Sequence, residues 1–305
     1  MPATPAAGKI NGSMAAATPG GTMASEIFLV DNGSLRPQSI LSLRHLAAAL
    51  SERIGEPVQP VSLLHSDRAP EDALEGVPAR TLEPTLRERA AAGTRHFRIV
   101  PLFFGPSRAL TDYLPERVAA LSQHFPKLDV QVAPPLVTPE RGHDPRLAHI
   151  LAESVQAVDH DPATRVILVD HGSPAPEVAQ VRNYVAGQLS ILLQGRVAGV
   201  VPASMERRPG EAHRFNEPLL ETLLARPPFN HGRVVIAMMF LQPGRHAGPD
   251  GDVARICAEA EARHPALKTV MTPLVGAHPL LPEILADRLA VIHPPPAAPD
   301  ATPPP

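Results

Sequence analysis

The sequence has one cysteine, no tryptophan, two tyrosines and eight phenylalanines among its 305 residues. A single cysteine excludes an intramolecular disulfide framework and any metal site built from cysteines alone. Scarce aromatic residues disfavour a surface that stacks on nucleic-acid bases. The 28 basic and 31 acidic residues leave a net charge of −3 without a basic tract. Nucleic acid is therefore not expected as the main partner.

Long hydrophobic runs are also missing. The longest wholly apolar run, residues 234–241, has eight residues and is too short to cross a bilayer as a helix. The first residues show neither the apolar core of a secretory signal nor the Arg-rich face of a transit peptide. No membrane association is expected, and the sequence favours a cytoplasmic location.

The two ends of the chain differ in composition from its middle. Residues 1–25 are rich in Ala, Gly, Thr and Pro, and residues 293–305 read HPPPAAPDATPPP. Neither segment can bury enough apolar surface to offset the entropy lost on ordering. Both are predicted to be disordered tails. The chain between them is long enough to form sizeable cores.

The middle of the chain contains an internal repeat. Asp-Asn-Gly-Ser at residues 31–34 returns as Asp-His-Gly-Ser at residues 170–173, 139 residues later. Two further pairs of segments recur in the same order at nearly the same offset: RIVPLFFGPSRA (98–109) with VIAMMFLQPGRH (235–246), and PPLV (134–137) with TPLV (272–275). These matches predict two tandem domains, residues 26–160 and residues 161–292.

Each repeat shows the pattern of an α/β fold. Short apolar runs rich in β-branched residues end at turn signals, as buried parallel strands do, and apolar residues spaced by three and four follow them. Each repeat therefore reads βαβαβαβα, which predicts a parallel β-sheet flanked by helices. The predicted strands are 27–30, 58–64, 98–104 and 130–137, then 166–169, 197–202, 234–241 and 269–275.

Two histidines of the second repeat follow predicted strands. His171 comes just after one strand, and His246 lies in the loop after another, whereas the aligned residues of the first repeat are Asn32 and Ala109. Ligands of parallel α/β sheets bind at the carboxyl ends of the strands. Two imidazoles there suit cobalt, nickel, iron or zinc, and neutral imidazole can also accept a proton near pH 7.

Three motifs of the second repeat together resemble a known family. They are His-Gly-Ser at 171–173, the Phe-Leu-x-Pro-Gly-x-His loop that ends at His246, and the closing Pro-Leu-x-x-x-His-Pro-x-Leu segment. The resemblance is to the CbiX/SirB-type sirohydrochlorin chelatases, class II chelatases of the ferrochelatase-like superfamily, and it covers nearly all of 26–292, once per repeat. It implies a lyase-class enzyme that inserts a divalent metal into a tetrapyrrole without a nucleotide, in cobalamin or sirohaem biosynthesis.

The resemblance also assigns roles to residues. His171 and His246 would hold the metal ion and help to remove the pyrrole protons, with Co²⁺ as the first candidate and Ni²⁺ or Fe²⁺ as alternatives. The macrocycle would lie in a cleft between the two repeats. Sirohydrochlorin carries eight carboxylates, so this cleft should offer arginine. The predicted substrate-binding residues are Arg245, Arg207, Arg214 and Ser173, with Arg36 and Arg108 within reach from the first repeat and Ser173 also placed to cap a helix.

One departure from the family leaves alternatives open. In several two-domain relatives the histidine pair lies in the first half, whereas here it lies in the second, which makes the first repeat a scaffold or a wall for the substrate. The protein could also be a metal or tetrapyrrole carrier without turnover, or a paralogue that has lost catalysis. A fused pair of repeats is compatible with a monomer or a weak dimer.

The remaining titratable residues of the second repeat have simpler interpretations. Glu206, Glu211 and His213 lie in a loop that could face the cleft, where a carboxylate could supply a third ligand or a proton relay, but a solvated loop is the preferred interpretation for each of them. His278 has a counterpart in the first repeat and is expected to be structural. A serine nucleophile at Ser173 is disfavoured, since no Gly-x-Ser-x-Gly motif surrounds it.

Overall fold

The computed structural model describes residues 25–141 and 144–293. The predicted tails, 1–25 and 293–305, lie almost wholly outside the described residues. In the first half the chain forms alternating strands and helices: β1 (Glu26–Asp31), α1 (Pro37–Ile54), β2 (Val58–Ser62), α2 (Leu82–Ala91), β3 (His96–Pro101), α3 (Leu114–Ser122), β4 (Asp129–Val132) and α4 (Arg146–Gln156).

The second half repeats this order of elements. Across the described part of the chain, the helices are too short or too polar to traverse a bilayer. The elements are β5 (Arg165–Asp170), α5 (Pro176–Leu192), β6 (Gly199–Ser204), α6 (Leu220–Leu224), β7 (Gly232–Met238), α7 (Asp252–Arg263), β8 (Leu267–Met271) and α8 (Leu281–Ala290).

The strands form two parallel sheets of four strands each. Their orders are β2-β1-β3-β4 and β6-β5-β7-β8, so the same topology occurs twice. In the first sheet Ile27 pairs with Val58 on one side and Arg98 on the other, and in the second Arg165 pairs with Gly199 and Val234. The predicted α/β fold with two parallel sheets flanked by helices is confirmed.

The last helix of each half packs on the sheet of the other half. Helix α4 contacts α5 and β7, and α8 contacts α1 and β3. Their apolar residues, Ile150 and Leu151 of α4 and Ile284 and Leu285 of α8, are fully buried in one core shared by both sheets. Burial of such a side chain contributes about 1.5–3 kcal/mol. The two halves therefore share their central core, while each sheet has a second core of its own on its outer face.

Charged residues join α4 and α8, the helices exchanged between the two halves, to the half on which they pack. Arg288 of α8 donates to the carbonyl oxygen of Leu136 at 2.7 Å and to Asp144 at 2.6 Å, and Arg146 donates to Asp287 at 2.6 Å. Partial burial raises the pKa of Asp144, but hydrogen bonds from Arg146 and Arg288 outweigh it and hold that pKa well below its usual range. These contacts reinforce the exchange with charge-assisted hydrogen bonds.

Five predicted strands end earlier in the structure. The predicted strands 58–64, 130–137 and 269–275 correspond to the shorter β2, β4 and β8. The other two come from long apolar runs. The apolar runs 98–104 and 234–241 predicted strands to their last residue, yet β3 ends at Pro101 and β7 at Met238. The apolar residues that follow leave the sheet, and the carbonyl oxygens of Phe103 and Phe104 accept hydrogen bonds from a later loop instead. An unbroken apolar run was wrong as a sign that the strand continues, because the residues after each strand both pack on the cores and line a cavity.

Candidate metal and substrate site

A cavity of about 550 Å³ opens between the two halves. It lies where β1, β3, β5 and β7 end, the edge at which parallel α/β sheets bind ligands. Both halves contribute to its wall, which is more apolar than polar. The large apolar side chains that line it come from both halves and include Phe103, Phe104, Phe240 and Leu241.

The structure brings the two predicted histidines together in this cavity. The ring centroids of His171 and His246 are 4.5 Å apart, and the rings are inclined by 59°. Both rings line the cavity, and both remain partly exposed, with 46% and 30% of the side chain accessible. Residues 75 positions apart in sequence thus form a pair of imidazoles that one small cation can contact.

Hydrogen bonding fixes the tautomer of His171. Its Nδ1 lies 3.0 Å from the carbonyl oxygen of Gly172, which can only accept, so Nδ1 carries a proton. The remaining nitrogen, Nε2, lies 3.3 Å from a carboxylate oxygen of Glu206. Nε2 is therefore the ring atom that is left to bind a metal ion, with a carboxylate beside it.

A carboxylate orients His246 in the same way. Its Nδ1 lies 2.7 Å from Oδ2 of Asp252, the first residue of α7. The hydrogen bond from His246, followed by that from Arg255, lowers the pKa of Asp252, so this carboxyl is ionised at neutral pH. A carboxylate that accepts from Nδ1 holds the ring in place and leaves Nε2 as the free ligand atom, as in many metal sites.

The backbone at Gly172 explains why Glu206 lies beside His171. Gly172 has φ of +92°, and a Cβ atom there would lie 2.1 Å from the carbonyl oxygen of Glu206. The amide of Glu206 also donates to the carbonyl oxygen of His171 at 3.2 Å. Glycine is therefore required for the turn after β5 to close on the loop after β6. The same close approach occurs in the first half at Gly33, whose Cβ position is 1.7 Å from a carbonyl oxygen of Leu64.

Ser173 lies beside the cavity without lining it. Its Oγ accepts from the amide of Ala175 at 3.0 Å, and its own amide donates to Oδ1 of Asn216 at 2.9 Å. Helix α5 begins after Ala175, which has no side-chain cap. Ser173 thus closes a turn one step before the helix instead of occupying the cap position itself. Its substrate-binding role stays a prediction.

The predicted arginines occupy different positions. Arg245 lines the cavity with 78% of its side chain exposed, and its nearest carboxylate is Asp252 at 3.7 Å. Arg207 and Arg214 lie in the loop after β6 and pair with Glu217 at 3.0 and 3.5 Å. They do not line the cavity, so the structure places one of the three arginines at the histidine pair.

Two carboxylates complete the surroundings of the pair. From sequence, Glu206 is a candidate third ligand or proton relay for which a solvated loop is preferred, and Asp252 carries no prediction. The available signal for Asp252 was an acidic residue at the start of the helix after the His246 loop. Within residues 25–141 and 144–293, no three His, Cys, Asp or Glu side chains form a group that could hold a metal ion by themselves.

The corresponding corner of the first half has no such pair. Asn32 and Gly33 line the same cavity at the end of β1. Ala109 begins a π-helical turn before α3 and does not line the cavity. His278, expected to be structural, lies outside the cavity lining, where Nε2 faces Glu153 across the halves at 3.2 Å. The histidine pair is therefore confined to one side of a cleft that both halves build.

Comparisons with known proteins agree with this architecture. SirB from Bacillus subtilis, solved with Fe³⁺ and with cobalt, superposes with a TM-score of 0.62 in both cases, at 18% and 17% identity, over 88% of this chain and 94% of that one. A CbiX structure, described as the terminal enzyme for biosynthesis of siroheme in denitrifying bacteria, has a TM-score of 0.55 at 18% identity, over 87% of this chain and 98% of that one. At this identity the likeness shows a shared fold.

The family assignment comes from the sequence. No curated protein matches the chain significantly. The CbiX family model, in contrast, matches residues 26–158 and again residues 165–291, once for each repeat. The chain belongs to the CbiX family, the sirohydrochlorin chelatase family that its motifs resemble.

Proposed function

We propose that the protein inserts a divalent metal ion, with Co²⁺ as the first candidate and Ni²⁺ or Fe²⁺ as alternatives, into an anionic tetrapyrrole of the sirohydrochlorin type. One observation carries the proposal: His171 and His246 lie with their rings 4.5 Å apart in a cavity that both halves form. In this proposal residues 161–292 hold the metal, and residues 26–160 supply the opposite wall. The product would serve cobalamin or sirohaem biosynthesis.

The histidine pair suits delivery of a metal better than its storage. Each ring donates from Nδ1 to an oxygen, of Gly172 or of Asp252, which leaves the two Nε2 atoms as ligands. Imidazole binds Co²⁺, Ni²⁺, Fe²⁺ and Zn²⁺ alike, so geometry and supply select the metal. Two protein ligands leave coordination positions open, and the four pyrrole nitrogens of a macrocycle can fill them. A storage site would hold the ion with a fuller set.

The cavity has the properties that a flat anionic pigment requires. Its volume is within the range of sites that enclose small molecules. Phenylalanine rings from both halves, Phe103 and Phe240 among them, offer apolar surfaces to the face of a macrocycle. Arg245 stands at the rim for a peripheral carboxylate, and Arg36 and Arg108 are exposed close to lining residues of the first half.

The test is an absorption assay with sirohydrochlorin and each metal ion. The single variants His171→Ala and His246→Ala and the double variant remove the ligands, and His231→Ala is the matched control, an exposed histidine that contacts Asn230 outside the cavity. We expect multiple turnovers for the wild type and the control, and the uncatalysed rate for the double variant. Equal rates for the wild type and the double variant would refute the proposal.

The same assay separates the carrier alternative. A carrier would bind one equivalent of pigment or metal in a histidine-dependent way and then stop. An enzyme would convert many equivalents per chain. Running the three metals in parallel also orders them by kcat/KM, which decides whether Co²⁺ is the preferred ion.

A further inference from the structure

The cavity contains a buried carboxylate in the first half that the histidine pair does not use. Asp31 ends β1 and lines the cavity, and 6% of it is exposed. Its Oδ1 has no hydrogen-bond partner. A buried carboxylate oxygen without a hydrogen-bond donor lowers the stability of the fold. Its position beside a cavity therefore suggests a functional role.

The second half shows how such a carboxylate is normally satisfied in this fold. Asp170 occupies the matching position at the end of β5 and is equally buried. It accepts from Oγ of Ser204 at 2.6 Å, and the buried guanidinium of Arg182 lies 3.6 Å away. Arg182 also donates to the carbonyl oxygen of Asn216 at 3.0 Å, so the whole group is fixed.

The first half keeps the carboxylate but lacks the arginine. Helices α1 and α5 both start with proline, and the residue six positions after Pro37 is Leu43, where Arg182 follows Pro176 by the same distance. Leu43 packs in the shared core. Burial without a cation raises the pKa of Asp31 to about 6, although a hydrogen bond from Ser62 opposes this. This carboxyl can therefore gain and lose a proton near neutral pH.

Metal insertion needs an acceptor for pyrrole protons. A macrocycle loses two N–H protons when a divalent ion enters, and a histidine that binds the ion through Nε2 and donates from Nδ1 has no lone pair left for a proton. Besides the two histidines, the described residues that line the cavity include three ionisable side chains: Asp31, Asp170 and Arg245. Asp170 is held by Arg182, and arginine does not act as a base.

On this basis, and resting on the proposed function, we propose that Asp31 is a further catalytic residue, the base that accepts a pyrrole proton opposite the metal-holding histidines. One N–H bond of the macrocycle breaks, and its electron pair stays on nitrogen and forms the bond to the metal. The proton moves to the carboxylate of Asp31, which becomes a neutral acid and later returns the proton to water. The second pyrrole proton leaves to water at the open side of the cavity.

The isosteric variant Asp31→Asn tests the role, with Asp112→Asn on the exposed surface as the matched control. We expect kcat with sirohydrochlorin and Co²⁺ to fall at least about 100-fold, the scale of general base catalysis, with KM and Co²⁺ affinity within twofold of the wild type. A kcat within threefold of the wild type, or a loss confined to KM, would overturn the assignment. If the wild type itself shows no turnover, the proposed function fails first.

A second variant separates a base from a structural residue. In Asp31→Ala the carboxylate is removed and a small space is left, so added formate should restore at least part of the lost kcat. Formate should not restore the double histidine variant. A structural role for Asp31 predicts no rescue by formate, and that result, in a variant with wild-type Co²⁺ affinity, would overturn the proposal.

Discussion

The Asp31 carboxylate, which is buried without a cation beside it, makes a prediction about stability that needs no substrate. Its pKa is raised from 3.8 to about 6 in the folded protein. A raised pKa means that the folded state holds the proton more tightly than the unfolded state, so stability falls as pH rises from about 4 to 6. Each pKa unit corresponds to about 1.36 kcal/mol, so ionisation of Asp31 lowers the free energy of unfolding by about 3 kcal/mol in total. Roughly half of this decrease occurs between pH 5 and pH 8.

Replacing Asp31 by asparagine removes this loss, because the amide does not ionise. We expect urea denaturation to give the difference in free energy of unfolding between Asp31→Asn and the wild type. This difference should favour the variant by about 1.5 kcal/mol more at pH 8 than at pH 5. The matching substitution Asp170→Asn provides the contrast. It leaves Arg182 buried without its carboxylate and should destabilise the protein by about 3–5 kcal/mol. An advantage of Asp31→Asn that is the same at both pH values would refute the reasoning.

Three further substitutions test the surroundings of the site and the contact between halves. Asp252→Asn weakens the orientation of His246 and should lower Co²⁺ affinity about 10–100-fold in calorimetry, with unchanged affinity arguing against an orienting role. Asp144→Asn should cost about 1–3 kcal/mol at pH 7. Because the folded pKa of Asp144 is depressed, this difference should shrink in denaturation curves as pH falls below about 4. Gly172→Ala should cost at least about 1–3 kcal/mol through its backbone conformation, and its Cβ would also displace Glu206; a melting temperature equal to that of the wild type would contradict this.

The repeat in the sequence predicts much of the fold because each repeat must bury the same apolar strands. The matches around Asp31 and Asp170 place both at strand ends, and the βαβαβαβα order of each half agrees with the structure. The exchange of α4 and α8 was not predictable in this way. Apolar spacing shows that each helix has a buried face but not which sheet that face covers, and the contacts of Arg288 with the first half are visible only in three dimensions.

The site was predictable to the extent that its residues lie at strand ends. His171 and His246 meet as expected, because β5 and β7 are neighbours in the sheet. Of their carboxylate partners, Glu206 was only one of several loop candidates and Asp252 was not predicted, because the two reach the rings through a close backbone approach and a helix start. The burial of Asp31 without a cation was also not predictable from the motif around it, because it depends on helix α1 having Leu43 where α5 has Arg182.

Because α4 and α8 are exchanged, each half depends on the other for its stability even where their functional residues differ. Since α4 covers β7 and α8 covers β3, either half alone would leave a sheet face bare, and a cut in the segment between Gln156 and Arg165 should leave both fragments bound to each other. Covalent fusion keeps the partner of each half present in equal amount at any dilution. One copy can then lose its histidines while its neighbour retains them, so the fused chain tolerates a division of labour that two identical subunits could not develop.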